Sequence, residues 1–97
     1  MRTVVCADAL AWLSSADIPP RSAIVTSLPD ADEVRDTMTY EEWKSWFPLA
    51  ASRCLLAVEP AMPVVFLQTD RLFQDEGTLS VVRMLAFAAD YLRASLV

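Results

Sequence analysis

Apolar residues follow two alternating spacings along the chain. Three short runs are rich in apolar and β-branched residues, which is typical of buried strands: residues 3–7 (T-V-V-C-A), 22–27 (S-A-I-V-T-S) and 63–69 (P-V-V-F-L-Q-T). After each run, apolar residues recur every three or four positions, as they do in amphipathic helices. This order predicts an α/β fold in which helices pack on a parallel, Rossmann-like sheet of about three strands.

Capping residues predict where the first and last helices begin. Asp8 follows the first strand and precedes a helix from Ala9 to Ser15. Thr78 is expected to cap a last helix that runs to about Ser95. The apolar stripe of that helix consists of Val81, Met84, Leu85, Ala88 and Leu92.

The middle helix has the clearest start signal. Thr39 and Glu42 are spaced as a capping box, in which each side chain accepts a hydrogen bond from the other residue's backbone amide. Pro48 lies inside the helical pattern and predicts a kink or a division into two short helices. The aromatic residues of this helix have core spacing, and we expect them to form core rather than a ligand platform: Trp43, Trp46 and Phe47.

Composition excludes several kinds of site. The chain has 97 residues, a length that fits one domain spanning 1–97, and it has no histidine, which excludes His-based catalysis and His-ligated zinc. Its single glycine, Gly77, excludes a Gly-rich phosphate loop. The net charge of −5 and the lack of a basic stripe argue against nucleic acid as a partner. No cluster predicts a metal site.

Hydropathy and the cysteines bear on location and partners. No 18-residue apolar run predicts a membrane span, and Asp8 interrupts the N-terminal apolar stretch, unlike a secretory signal. Cys6 and Cys54 lie in apolar patterns, and we expect two buried free thiols in a reducing cytoplasm. The hydrophobic content of 55% indicates a partner surface, or a chain shorter than its fold requires.

Polar residues follow the predicted strands, where parallel sheets bind ligands. They are Asp8, Ser27, Asp30 and Asp70. The pieces V-V-C-A-D-A-L-A-W-L and A-I-V-T-S-L-P-D resemble the S-adenosylmethionine-dependent methyltransferases of the amino-group type, which modify cytosine N4 or adenine N6. The resemblance extends from Met1 to about Asp70. It implies that Asp8, with the adjacent Ala9, binds the cofactor's adenine end, and that Ser27-Leu28-Pro29-Asp30 is the catalytic tetrapeptide.

The tetrapeptide of this family holds an amine for methylation. The resemblance implies that Ser27 and the Leu28 carbonyl accept the two hydrogens of the amine and position its nitrogen toward the sulfonium methyl. Pro29 would rigidify the loop. Asp30 replaces the aromatic residue that stacks on the base, and Leu28 replaces a proline; this departure argues against methylation of DNA bases.

Two alternatives remain open from the sequence. Asp8 could simply cap a helix, and residues 27–30 could form an ordinary strand-ending turn. The family's Gly-rich loop for the methionine end of the cofactor is missing. The chain is therefore expected to be a truncated or degenerate methyltransferase-like domain with little activity alone, or else a small α/β module for self-association or protein binding. A gap in the sheet predicts a dimer or a poorly stable monomer.

Overall fold

The computed structural model describes residues 2–69, 72–74 and 78–91. Helices and strands both contribute to the fold. They are α1 (Ala9–Ser15), β1 (Ile24–Thr26), α2 (Tyr40–Ala57), β2 (Val64–Phe66), β3 (Leu72–Gln74), β4 (Thr78–Ser80) and α3 (Val81–Tyr91). The prediction of a mixed α/β structure is confirmed at this level.

The central pairing is parallel, as the alternation of strands and helices predicts. Ile24, at the start of β1, is aligned with Val64, at the start of β2, an offset of 40 residues. The same offset relates the Pro20-Arg21 and Pro60-Ala61 turns that precede the two strands. Arg21 and Ala61 have φ values of 60° and 75°, the left-handed conformation found after proline in type II turns. Matching turns therefore bring the chain into both strands in the same way.

Helix α2 begins at the predicted capping box. The Glu42 amide donates to Thr39 Oγ1 at 3.2 Å, and the Thr39 amide donates to Glu42 Oε1 at 3.0 Å. Pro48 lies within a single helix of 18 residues, so the alternative of two short helices is wrong. The helix continues because one missing N–H removes one hydrogen bond, while packing holds the turns on both sides.

The core lies between α2 and α3. Trp43, Phe47, Val81 and Met84 form one buried cluster, and Trp46 packs at its margin. The Trp43 and Phe47 ring centroids lie 5.3 Å apart at an angle of 49°, which is a favourable tilted geometry. The expectation that these aromatic residues form core is confirmed.

The N-terminal strand prediction is wrong. Residues 3–7 form no strand, and every position from 2 to 9 is exposed, including Val4 at 80%. Since no strand pairs with this segment, its β-branched composition alone does not make it part of the sheet. The same exposure corrects the prediction for Cys6, whereas Cys54 is buried as expected.

The region before the last helix also differs from the prediction. Thr78 lies in β4, which pairs antiparallel with β3, and Ser80 caps α3 by accepting a hydrogen bond from the Arg83 amide at 3.1 Å. Ser80 has the same capping chemistry as Thr78, and the antiparallel pair of β3 and β4 moves the start of the helix by two residues. The parallel sheet therefore has two strands among the described residues, rather than about three. The predictions for Asp70, Leu92 and Ser95 lie outside the described residues.

Candidate functional site

The tetrapeptide Ser27-Leu28-Pro29-Asp30 directly follows β1 at the carboxyl end of the parallel pair. The backbone pairing extends past the strands, because the Leu67 amide donates to the Thr26 carbonyl at 2.8 Å. The tetrapeptide therefore lies beside the segment that follows β2. This is the edge at which open parallel sheets bind ligands.

Gln68 holds the tetrapeptide through its side-chain amide. Its Oε1 accepts from the Leu28 amide, and its Nε2 donates to the Leu28 carbonyl at 2.9 Å. Both bonds are partly buried. The offset of 40 residues that relates β1 to β2 also relates Leu28 to Gln68, so Gln68 continues the ladder with a side chain in place of a backbone. Gln68 was not among the predicted site residues, although its position in the strand-ending run F-L-Q-T was an available signal.

Trp43 fixes the next residue of the tetrapeptide. Its indole Nε1 donates to the Pro29 carbonyl at 3.0 Å, and its ring is fully buried in the core. A buried indole N–H requires an acceptor, and the loop supplies one. The Trp43 indole thus joins the core to the candidate site, and the Leu28 side chain also packs against the core.

The Asp30 side chain accepts hydrogen bonds from backbone amides that follow it in the sequence. Its Oδ1 accepts from the amides of Asp32 and Glu33 at 2.9 and 3.1 Å, and Glu33 Oε1 accepts from the Asp30 amide at 3.2 Å. This reciprocal arrangement is a capping box at the start of the turns over residues 31–37. The Asp30 carboxylate therefore organises the loop after the tetrapeptide.

Ser27 and the Leu28 carbonyl are the groups to which the resemblance assigns the acceptor amine. Ser27 is exposed, so its hydroxyl is accessible from solvent. The Leu28 carbonyl already accepts from Gln68, and a carbonyl oxygen has a second lone pair that could accept another hydrogen. The Gln68 amide therefore occupies one of the two acceptor positions of this carbonyl.

Asp8 is the N-cap of α1 and Ala9 is its first residue, and residues 2–8 form no strand. The Asp8 Oδ1 accepts from the Ala11 amide at 3.0 Å, which is the helix-capping role that the sequence left open. Both residues are exposed, and α1 packs against α2, where Arg53 Nη1 donates to Ser14 Oγ at 2.8 Å. A carboxylate can accept several hydrogen bonds, so the cap leaves room for a ligand amine.

Comparison of the chain with protein-family models, curated proteins and solved structures found no match.

The residues fit only part of the cofactor that the resemblance implies. The Asp8 carboxylate has acceptor capacity for an adenine amine. The methionine end needs backbone amides on a Gly-rich loop, and the chain's single glycine cannot provide one. The chain's own residues therefore do not fit the whole group. Within residues 2–69, 72–74 and 78–91, no three Cys, Asp or Glu side chains could hold a metal ion together.

A second feature is an apolar surface on the strand pair. Val25 and Val65 are register partners on one face of the pair, with 66% and 41% of their areas exposed, and Leu67 continues this face with 63% exposed. Strands of an all-parallel sheet are ordinarily covered on both faces. None of the helices that the structure describes is long and apolar enough to cross a bilayer.

Proposed function

We propose that the chain is a methyltransferase-like α/β unit of the amino-group type that is not catalytic by itself. The observation that carries the proposal is the position of Ser27-Leu28-Pro29-Asp30 at the carboxyl end of a parallel strand pair, held there by the Gln68 side chain. In this proposal the pair is part of a Rossmann-like sheet, and Ser27 and the Leu28 carbonyl are the remnant of an amine-binding site.

The proposal assigns to Asp8 and Ala9 the remnant of a site for the adenosine half of S-adenosylmethionine. The carboxylate would accept from the adenine amine, while the helix cap fixes its position. Because the chain has no Gly-rich loop for the methionine half, binding is expected to be weak and methyl transfer absent. Further elements would have to complete the site.

A titration of S-adenosylhomocysteine into isotope-labelled protein, followed by NMR, tests this assignment. We expect millimolar binding, with amide shifts at residues 8–11 and 27–30. Asp8→Ser should abolish these shifts, because serine keeps the cap but removes the carboxylate. Asp17→Ser, at an exposed acid after α1, is the matched control and should bind like the wild type.

Two results would contradict the proposal. Shifts that are absent, or that are equal in wild type and Asp8→Ser, would remove the cofactor assignment. Methyl transfer by the isolated chain from labelled S-adenosylmethionine to DNA or free nucleobases, above the protein-free background, would show that the unit is catalytic after all.

A second candidate function is self-association without catalysis. The observation that favours it is the exposure of apolar residues on the strand pair and at the N-terminus, which are large side chains left without intramolecular cover. Sedimentation equilibrium tests this candidate. A mass that rises with concentration supports it, and a monomer throughout contradicts it.

A further inference from the structure

Among the residues that the structure describes, no strand pairs with the outer edge of β1. The Ile24 amide and the Thr26 carbonyl both bond to the β2 side, at 3.2 and 2.8 Å. Backbone groups alternate in direction along a strand, so the N–H and C=O of Val25 point away from β2. Within the described residues, the sheet that contains β1 has β2 as its only other strand. An edge of this kind accepts an added strand.

The N-terminal segment has the composition of such a strand. Residues 3–7, which we call the N-terminal arm, read T-V-V-C-A. The arm contains no helix or strand of its own and is exposed throughout, with Val4 and Val5 at 80% and 59%. The molecule thus carries both an open edge and a segment suited to it, and the two are not paired with each other.

Apolar side chains are exposed on both sides of such a pairing. On the strand pair, Val25, Val65 and Leu67 are 66%, 41% and 63% exposed. Strand addition would therefore bring two exposed apolar segments together.

We propose that the N-terminal arm of one copy adds as a strand to the β1 edge of a second copy, and that the second copy's arm does the same in return. This deepens, and rests on, the second candidate function, self-association. Reciprocal addition closes the assembly at two copies, because each copy contributes one arm and one edge. The contact covers the Val25 backbone, and it provides the arm's apolar side chains with a partner surface.

Sedimentation equilibrium with charge substitutions tests the surface. The wild type should reach twice its 10.8 kDa mass without larger species. Val5→Asp in the arm and Val25→Asp at the edge should each weaken dimerisation at least tenfold. Leu56→Asp is the matched control, because Leu56 on α2 is 67% exposed and lies outside the proposed contact. It should change the dimerisation constant less than twofold.

Cys6 provides a second measurement without a change at the edge. In a Cys54→Ala background, Cys6 is the remaining thiol, and its labelling rate should fall at least tenfold as the protein passes from monomer to dimer. A dimer whose Cys6 is labelled at the monomer rate would overturn the arm proposal while self-association stands. A monomer at every concentration would overturn both the arm proposal and self-association. Assemblies that grow beyond two copies would overturn reciprocal closure.

Discussion

The two sides of this molecule use similar residues with opposite results. On the α2–α3 side, Trp43 and Phe47 are fully buried. On the side of β1 and the N-terminal arm, Val4 and Val25 are 80% and 66% exposed. Apolar content is therefore not what separates the two sides. A long helix has a second helix to pack against. Within the described part of the chain, β1 has a neighbouring strand on one side and none on the other.

The largest expected effect is the difference in how far a substitution on each side lowers the free energy of unfolding. Trp43→Ala should lower the free energy of unfolding by about 3–5 kcal/mol, because it leaves a cavity in the core. Val4→Ala should change it by less than about 0.5 kcal/mol. Urea unfolding at a low protein concentration measures both values. Equal costs would contradict the contrast between the sides.

A milder variant keeps this comparison measurable if Trp43→Ala does not fold. Trp43→Phe retains most of the ring but leaves the Pro29 carbonyl without its indole donor. We expect a cost of about 1–3 kcal/mol. A cost near zero would mean that the indole hydrogen bond does not connect the core to residues 27–30.

Gln68 gives the next largest effect, at the boundary between the two sides. Gln68→Met should cost about 1–3 kcal/mol, because it leaves the Leu28 amide and carbonyl without their partner. Gln68→Glu should be less stable at pH 7 than at pH 4, since only the protonated acid can donate to the Leu28 carbonyl. Thermal unfolding at the two pH values measures this difference. Thr69→Val, at an exposed neighbouring position, is the control and should not be less stable at pH 7 than at pH 4.

The caps of α2 and α1, Thr39 and Asp8, allow the same kind of hydrogen bond to be compared on the two sides. Thr39→Ala should cost about 1 kcal/mol, because α2 carries much of the core. Asp8→Ala should cost at most about 0.5 kcal/mol, because α1 buries no residue and can fray without opening the core. Chemical unfolding of the two variants tests this. An Asp8→Ala cost equal to that of Thr39→Ala would show that α1 is part of the cooperative core.

The Thr39 cap also predicts a dependence on pH. Hydrogen bonds from the Thr39 backbone amide, and with its hydroxyl, hold the pKa of Glu42 below its usual value. A lowered pKa means that the stabilisation is present above the usual glutamate pKa and is lost as the pH falls through the folded-state pKa. The stability difference between wild type and Glu42→Ala should therefore shrink on acidification. A constant difference from pH 7 to pH 3 would argue against the capping box.

The smallest effect concerns the two cysteines. Burial raises the pKa of the Cys54 thiol. A raised pKa means that the contribution to stability is full below the unfolded-state pKa of the thiol, about 8.5, and is lost as the pH rises through the folded-state pKa. The alkaline loss of stability should decrease in Cys54→Ala and persist in Cys6→Ala, since Cys6 is exposed. If the alkaline loss of stability persisted in Cys54→Ala and decreased in Cys6→Ala, the burial of Cys54 would be contradicted.

The comparison between the sides also explains what the sequence could predict. The caps at Asp8 and Thr39 and the helical stripe through Trp43 and Phe47 are local patterns, and the structure confirms them. The parallel pairing followed from the alternation of elements. The prediction of a strand at residues 3–7 was wrong because strand formation requires a neighbouring strand, which composition does not provide.

Two other features were hidden from the sequence for the same reason. The bond between Gln68 and Leu28 joins positions 40 residues apart, and no spacing rule connects them. Ser80 replaces Thr78 as the cap of α3 because an antiparallel pair precedes the helix. Asp30 was interpreted as a departure from a base-binding motif, and its hydrogen bonds show a local capping role in addition.

The central claim is that one side of the molecule is closed and the other is completed by a second copy. Amide hydrogen exchange, followed residue by residue at low and high protein concentration, tests it most directly. Residues of α2 and α3 should be protected at both concentrations, whereas residues 3–7 and the Val25 amide should become protected only at the high concentration. Protection of residues 3–7 at the low concentration, or exchange that is independent of concentration throughout, would contradict the account.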